Sequence, residues 1–193
     1  RLDIDQGKVV LGCRTGITWG HADTFPLVMF NGLLGAFPHS KLFANVREKE
    51  GLAYACHSSV EHSKGLLFVT AGIDPGKYPK FVEVVRAQMD DVAQGRFNDD
   101  EWEKTRLTIA DRVRSREDSP GAKVAAFLEM SLNGHPLKGE EIVAAVNKVS
   151  REDVVRAAKR VKPDCGVDLA TLTGECVVAL GAEAIGLLTK DEK

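Results

Sequence analysis

The stretch NGLLGAFPHSKLFANVREKEGLAY, Asn31–Tyr54, decides how the chain is read. Gly32, Gly35 and Pro38 break an apolar helical run, Asp23–Leu34, that carries Phe25, Leu27, Val28, Phe30, Leu33 and Leu34. Ser40–Glu50 then predicts a second helix, with Ser40 near its N-cap and Leu42, Phe43 and Val46 on one face. From Ala53 the period changes again, to the alternation of a strand, Ala53–His62.

Working outward, Lys8–Arg14 (KVVLGCR) is short, β-branched and apolar, and predicts a strand. Ser63, Lys64 and Gly65 form a turn, and Leu66–Ile73 is the returning strand of a β-hairpin. Asp74 and Pro75 predict a helix start, with Phe81, Val84, Val85, Met89 and Val92 on one face and Gly95 as the stop. Asn98 and Glu101 have capping-box spacing for a helix that turns Trp102, Ile109 and Val113 inward. Ser119 and Pro120 open another, with Val124, Phe127, Leu128 and Ser131 on one face and Gly134 at its end. Gly139–Val149 and Ser150–Val161 read as two short amphipathic helices. Strand, helix, helix, hairpin and a run of helices predict an α+β fold, an antiparallel-rich sheet covered by helices.

The composition is that of a globular domain: 44% hydrophobic and 28% charged residues over 193 positions. A net charge of −2 argues against nucleic acid or an anionic membrane as partner. No apolar run approaches the roughly 20 residues of a membrane span, and no signal peptide is visible. The chain opens at Arg1 without an initiator Met, as a fragment would. Cys13, Cys56, Cys165 and Cys176 are scattered without CxxC spacing, which predicts reduced thiols and a cytoplasmic protein.

Few residues carry recognisable chemistry. His57, Glu61 and His62 lack the spacing of a helical zinc motif: the histidines are five apart, about 140° around a helix, and on a strand they face opposite ways. They predict a solvated hairpin edge. His21, His39 and His135 read as turn or surface residues. There is no GxSxG, SxxK, GxGxxG or phosphate loop. Asp90-Asp91 and Asp99-Asp100 read as solvated carboxylates. What remains is Arg47 with Tyr54. A guanidinium can fork onto a peptide carbonyl or carboxylate, and a phenol can donate beside it. The bland alternative is an Arg paired to Glu48 or Glu50 and a packed Tyr.

The 31–54 stretch resembles the central motif of the second domain of insulinase/pitrilysin-family peptidases. Lys8–Gly16 (KVVLGCRTG) and Lys64–Asp74 (KGLLFVTAGID) match as well, in the right order, so that the resemblance covers about residues 5–164. It is nearest to bacterial processing-peptidase-like proteins that have lost their own catalytic motif and pair with an active partner. The resemblance implies one half of a peptidase clamshell, a metallohydrolase-like α/β sandwich. Zinc is then expected only in a partner or N-terminal domain, and Arg47 and Tyr54 match the Arg and Tyr offered to peptide in the chamber. It implies a catalytic domain or subunit and a peptide as partners, with a homodimer as a further candidate.

The tail departs from that family. Pro163–Asp191, around VDLATLTG (Val167–Gly174), resembles a segment of leucyl aminopeptidases without its metal ligands. We therefore divide the chain into a peptidase-like domain, 1–164, and an atypical tail, 165–193. Val167–Leu172 is apolar enough to serve as the closing strand, and Gly174–Leu188 reads as a glycine-interrupted helix or loop. Three functions follow: a non-catalytic peptide-binding or partner-pairing half, the C-terminal half of an active endopeptidase whose HxxEH motif lies elsewhere, or an assembly subunit. All three predict that the isolated chain hydrolyses no peptide and holds no stoichiometric zinc. Metal analysis finding one tightly held zinc per chain would overturn this.

Overall fold

The computed structural model describes residues 7–161. Three strands form one antiparallel sheet in the order β1-β3-β2: β1 (Gly7–Arg14), β2 (Ala53–Glu61) and β3 (Leu66–Ile73). The hairpin β2–β3 is the predicted one, and β1 joins its β3 side, with Leu11 opposite Val69 and Cys13 opposite Leu67. Alternation decides the faces. Leu67, Val69, Ala71 and Ile73 of β3 are buried, and the residues between them are half-buried. The expected boundary at Pro163, the closing strand Val167–Leu172 and the Gly174–Leu188 segment lie outside the described residues.

The first helix is α1 (Thr24–Asn31), shorter than the predicted run because the chain widens into a π-helical turn at Gly32–Ala36. The glycines explain the departure. A Cβ on Gly35 would lie 2.7 Å from Leu42 Cδ1 and Ser58 Oγ and 2.8 Å from Ser58 N. The turn is therefore pressed onto the backbone of β2, where Ser58 Oγ donates to Asn31 Oδ1 at 2.6 Å. Leu27, Phe30 and Leu34 are fully buried in the main core on this side of the sheet. Each such side chain contributes about 1.5–3 kcal/mol by leaving water.

The predicted second helix is also wide. Residues Phe43–Lys49 form a π-helix, with Glu50 N donating to Asn45 O at 3.1 Å. Leu42 and Val46 are buried as expected, but Phe43 is only half-buried. Ser40 begins the segment through its backbone carbonyl, which accepts from Ala44 N at 3.0 Å. Its hydroxyl is buried without a partner among the described residues, so the expected side-chain cap is not made.

The remaining helices are α2 (Tyr78–Ala93), α3 (Asp99–Glu117), α4 (Pro120–Leu132), α5 (Gly139–Asn147) and α6 (Arg151–Ala158). Pro75 does not start α2 but sits in a 3₁₀ turn, Pro75–Lys77, capped by Asp74. Pro79 explains this, since it has no N–H to bond the carbonyl four residues back. The capping boxes at Asn98/Glu101 and Ser150/Asp153 are both present. The α2 stripe from Phe81 to Val92 is buried as predicted. Buried Asp23 ties α1 to α6, accepting from Arg156 Nε and Nη2 at 3.0 and 2.7 Å.

The shared apolar face of α4 looks outward. Val124, Phe127 and Leu128 are 67%, 57% and 54% exposed. The helix packs through its other side, where Met130 joins Val113 and Ile142 in a second small core.

The close approach at Gly35 has a measurable consequence. Gly35→Ala should cost about 1–3 kcal/mol of unfolding free energy, because the neighbour on one side is backbone. Gly121→Ala is the contrasting variant: nothing lies within 4 Å of its Cβ position, and it should be neutral or stabilising by up to about 1 kcal/mol. Urea denaturation of both variants measures the difference.

Candidate functional site

Arg47 and Tyr54 are brought together. The guanidinium carbon of Arg47 lies 4.6 Å from the Phe43 ring centroid and 5.5 Å from that of Tyr54. Two irregularities put them there. The π-helix carries Phe43 and Arg47 on its outer side, four residues apart. On β2, Ala53 pairs with Ile73 but Cys56 pairs with Ala71, so Tyr54 and Ala55 together stand opposite Gly72. This is a β-bulge, a device that re-aims side chains. It lets Ala53 and Cys56 both face the core while Tyr54 projects outward, 77% exposed.

Arg47 Nε pairs with Glu48 Oε1 at 3.4 Å, and its side chain is 39% exposed. That pair is the bland alternative for the arginine, and it is present. The alternative for the tyrosine is not, since Tyr54 is exposed rather than packed. Neither terminal nitrogen of Arg47 has a hydrogen-bond partner among the described residues. Among the described residues, the arrangement presents two unpaired guanidinium nitrogens beside a phenol, backed by an aromatic ring.

A shallow cavity of about 300 Å³ opens on the sheet at Ala55, the other residue of the bulge. Lys8, Ala55, His57, Thr70 and Gly72 line it, on the sheet face turned away from the main core. Sequence reasoning placed Phe43 in the core and gave Lys8 no role. The signal for the bulge was the spacing of Ala53 and Cys56, three apart rather than two.

The histidines divide. His57 is exposed on the sheet, whereas His62 is buried beside Trp19, so the expected solvated edge holds only for the first. Among the described residues no group of three His, Cys, Asp or Glu could hold a metal. The residues described do not fit a zinc site. His39 is half-buried rather than superficial: it stacks on Phe37 and lies 3.3 Å from Thr105 Oγ1. Burial, then the nearby Lys104 ammonium, pushes its pKa down. His21 accepts from Asp23 N at 2.9 Å, and His135 is exposed against Gly20. Burial pushes the Cys56 thiol up to about 12, so it stays protonated and poorly nucleophilic.

With this fold and site in view, the comparisons with known proteins are specific. Residues 1–109 match the family described as peptidase M16 inactive domain, and the chain belongs to that family. Residues 152–193 match the catalytic domain of the cytosol aminopeptidase family, a second match that begins within α6. The Bacillus subtilis protein named probable inactive metalloprotease YmfF is 33% identical over 162 residues, 84% of this chain and 38% of that protein. The crystal structure of a conserved protein from Enterococcus faecalis superposes with a TM-score of 0.76 at 32% identity, over 82% of this chain and 38% of that one. A peptidase M16 inactive domain from Pseudomonas fluorescens gives 0.70 at 18% identity, over 84% of this chain and 40% of that one, and shares the fold. The chain spans about two fifths of the length of the curated relatives it matches first.

An exposed stack contributes little to folding. Arg47→Ala and Tyr54→Ala should each change unfolding free energy by no more than about 1 kcal/mol, the range for an exposed cation–π pair. Chemical denaturation checks this, and a larger loss would make the pair structural.

Proposed function

We propose that this chain is the non-catalytic, peptide-binding half of an insulinase-type zinc metallopeptidase, which pairs with a catalytic domain or subunit. The observation that carries this reading is the pairing of Arg47 and Tyr54 at the bulge. Both are accessible, they touch each other, and the hydrogen-bonding ends of the arginine are unused among the described residues. An extended peptide supplies what they lack. Its carbonyl or a carboxylate would accept from the Arg47 fork, and the Tyr54 hydroxyl would donate to a neighbouring carbonyl. Phe43 holds the guanidinium plane from behind, so less freedom is lost on binding.

Hydrolysis needs a metal-activated water that the described residues are not equipped to hold. In this reading the nucleophile and its zinc come from the partner half. The chain's part is to hold the substrate in register, which is how positioning lowers a barrier. Scattered cysteines without disulfide spacing support a cytoplasmic setting. No helix among the described residues is long and apolar enough to cross a membrane.

The test is direct binding of dye-labelled, unstructured peptides, read by fluorescence anisotropy. Arg47→Ala and Tyr54→Ala should each weaken binding by about tenfold or more, the loss of one charge-assisted or well-placed hydrogen bond. Unchanged binding in both variants would leave an assembly subunit with no peptide site.

A further inference from the structure

The hairpin turn, the loop after β1 and helix α4 meet at one small cluster that the peptide site does not use. His62, the first residue beyond β2, is 8% exposed. Its Nδ1 is buried with no hydrogen-bond partner among the described residues. Its ring lies against the indole of Trp19, centroids 4.4 Å apart and planes tilted by 34°. The indole Nε1–H donates to Glu129 Oε1 on α4 at 3.1 Å. The loop carrying Trp19 is in turn fixed to the hairpin, because Thr15 donates to the Gly65 carbonyl from both its N and its Oγ1, at 2.8 and 2.9 Å. Helix α4 itself buries only Met130. That residue docks it on Val113 and Ile142, and the Trp19–Glu129 bond adds a link from α4 to the loop after β1 and, through the stack, to the hairpin turn.

We propose that His62 is a pH-sensitive latch: while its imidazole is neutral the hairpin turn, Trp19 and α4 stay docked, and its protonation releases α4. The imidazolium carries a hydrogen on both ring nitrogens, so Nδ1 becomes a buried N–H with no acceptor among the described residues beside a charge largely closed off from water, and both are costly. Two carboxylates face the ring, Glu129 from α4 and Glu61 from the end of β2. The loop after β1 contributes the uncharged indole. Attraction to those carboxylates and to the indole face offsets part of the cost. Burial is the larger effect and holds the imidazole below its usual range. A base whose folded-state pKa is lowered stabilises the docked form fully above about pH 6.5, its open-state value, and that stabilisation is lost as the pH falls below it.

Hydrogen exchange on the 193-residue chain, followed from about pH 8 to about pH 5 and corrected for intrinsic rates, tests the latch. Protection in α4 and the hairpin turn should fall by up to about tenfold per pH unit, the limit for one proton, while the β3 amides keep theirs. His62→Phe keeps an aromatic ring without a titrating group and should abolish the dependence. Glu129→Gln keeps an acceptor for Trp19 but removes a charge that favours protonation, so the loss should continue to more acid pH. Three results would each overturn the latch: pH-independent protection in α4, an equal response in His62→Phe, or a parallel loss in β3, which is whole-domain acid unfolding. Should His62→Phe fail to fold at neutral pH, the Glu129→Gln profile decides, and a profile identical to that of the unsubstituted chain overturns the proposal.

Discussion

Gly35 can lie against the backbone of β2 only because it has no side chain. That contact sets the height at which the helical layer sits over the sheet. With the π turn seated on Ser58, the chain emerges at Phe37 and Pro38 close to the sheet and can wind the next helical segment along its edge. Leu42 and Val46 then face the core, and the opposite side of the segment hangs over the start of β2. The position of Arg47 is thus inherited from a steric allowance twelve residues earlier in the chain. A methyl group there would move the whole platform.

The candidate site shows how irregular backbone serves a surface role. A regular strand from Ala53 to Cys56 would turn one of these two core residues to water. The bulge resolves this by inserting Tyr54 and Ala55 against a single partner, Gly72, and the by-product is an outward tyrosine beside the helix. The π-helix makes a similar exchange, giving up regular bonding where Phe43 and Arg47 face outward. Wide turns of this kind are concentrated at functional positions. The bulge thus serves the core and the surface at once: Ala53 and Cys56 join Leu42 and Val46 inside, and Tyr54 is left outside.

Much of the fold was legible because period-two and helical patterns are strong where one side of an element is buried. β3 alternates through Leu67, Val69, Ala71 and Ile73, and its limits were read correctly. The capping boxes at Asn98 and Ser150 were legible because they are local, needing only two side chains three residues apart. For α4 the shared face was legible and its direction was not. Apolar spacing marks a shared face, but only tertiary packing says whether that face looks in or out, and Met130 won the inward position. The wide turns were not legible, because each is a compromise between elements distant in sequence, and the bulge left only the three-residue spacing of Ala53 and Cys56 as its trace. Arg47 and Tyr54 were singled out as a pair by their chemistry and then by resemblance, and their contact was visible only once both irregularities were in place. His62 was missed as a buried residue because nothing in its own neighbourhood announces Trp19.

The outward side of α4 has its own bearing on how this molecule behaves in solution. Val124, Leu128 and Leu132 stand in successive turns, facing water. A ridge of this kind gains free energy whenever it meets another oily surface, and with a net charge of only −2 the molecule has little long-range repulsion to hold its copies apart. Among the described residues, this one helix of thirteen residues is accordingly where self-association on concentration is expected to begin.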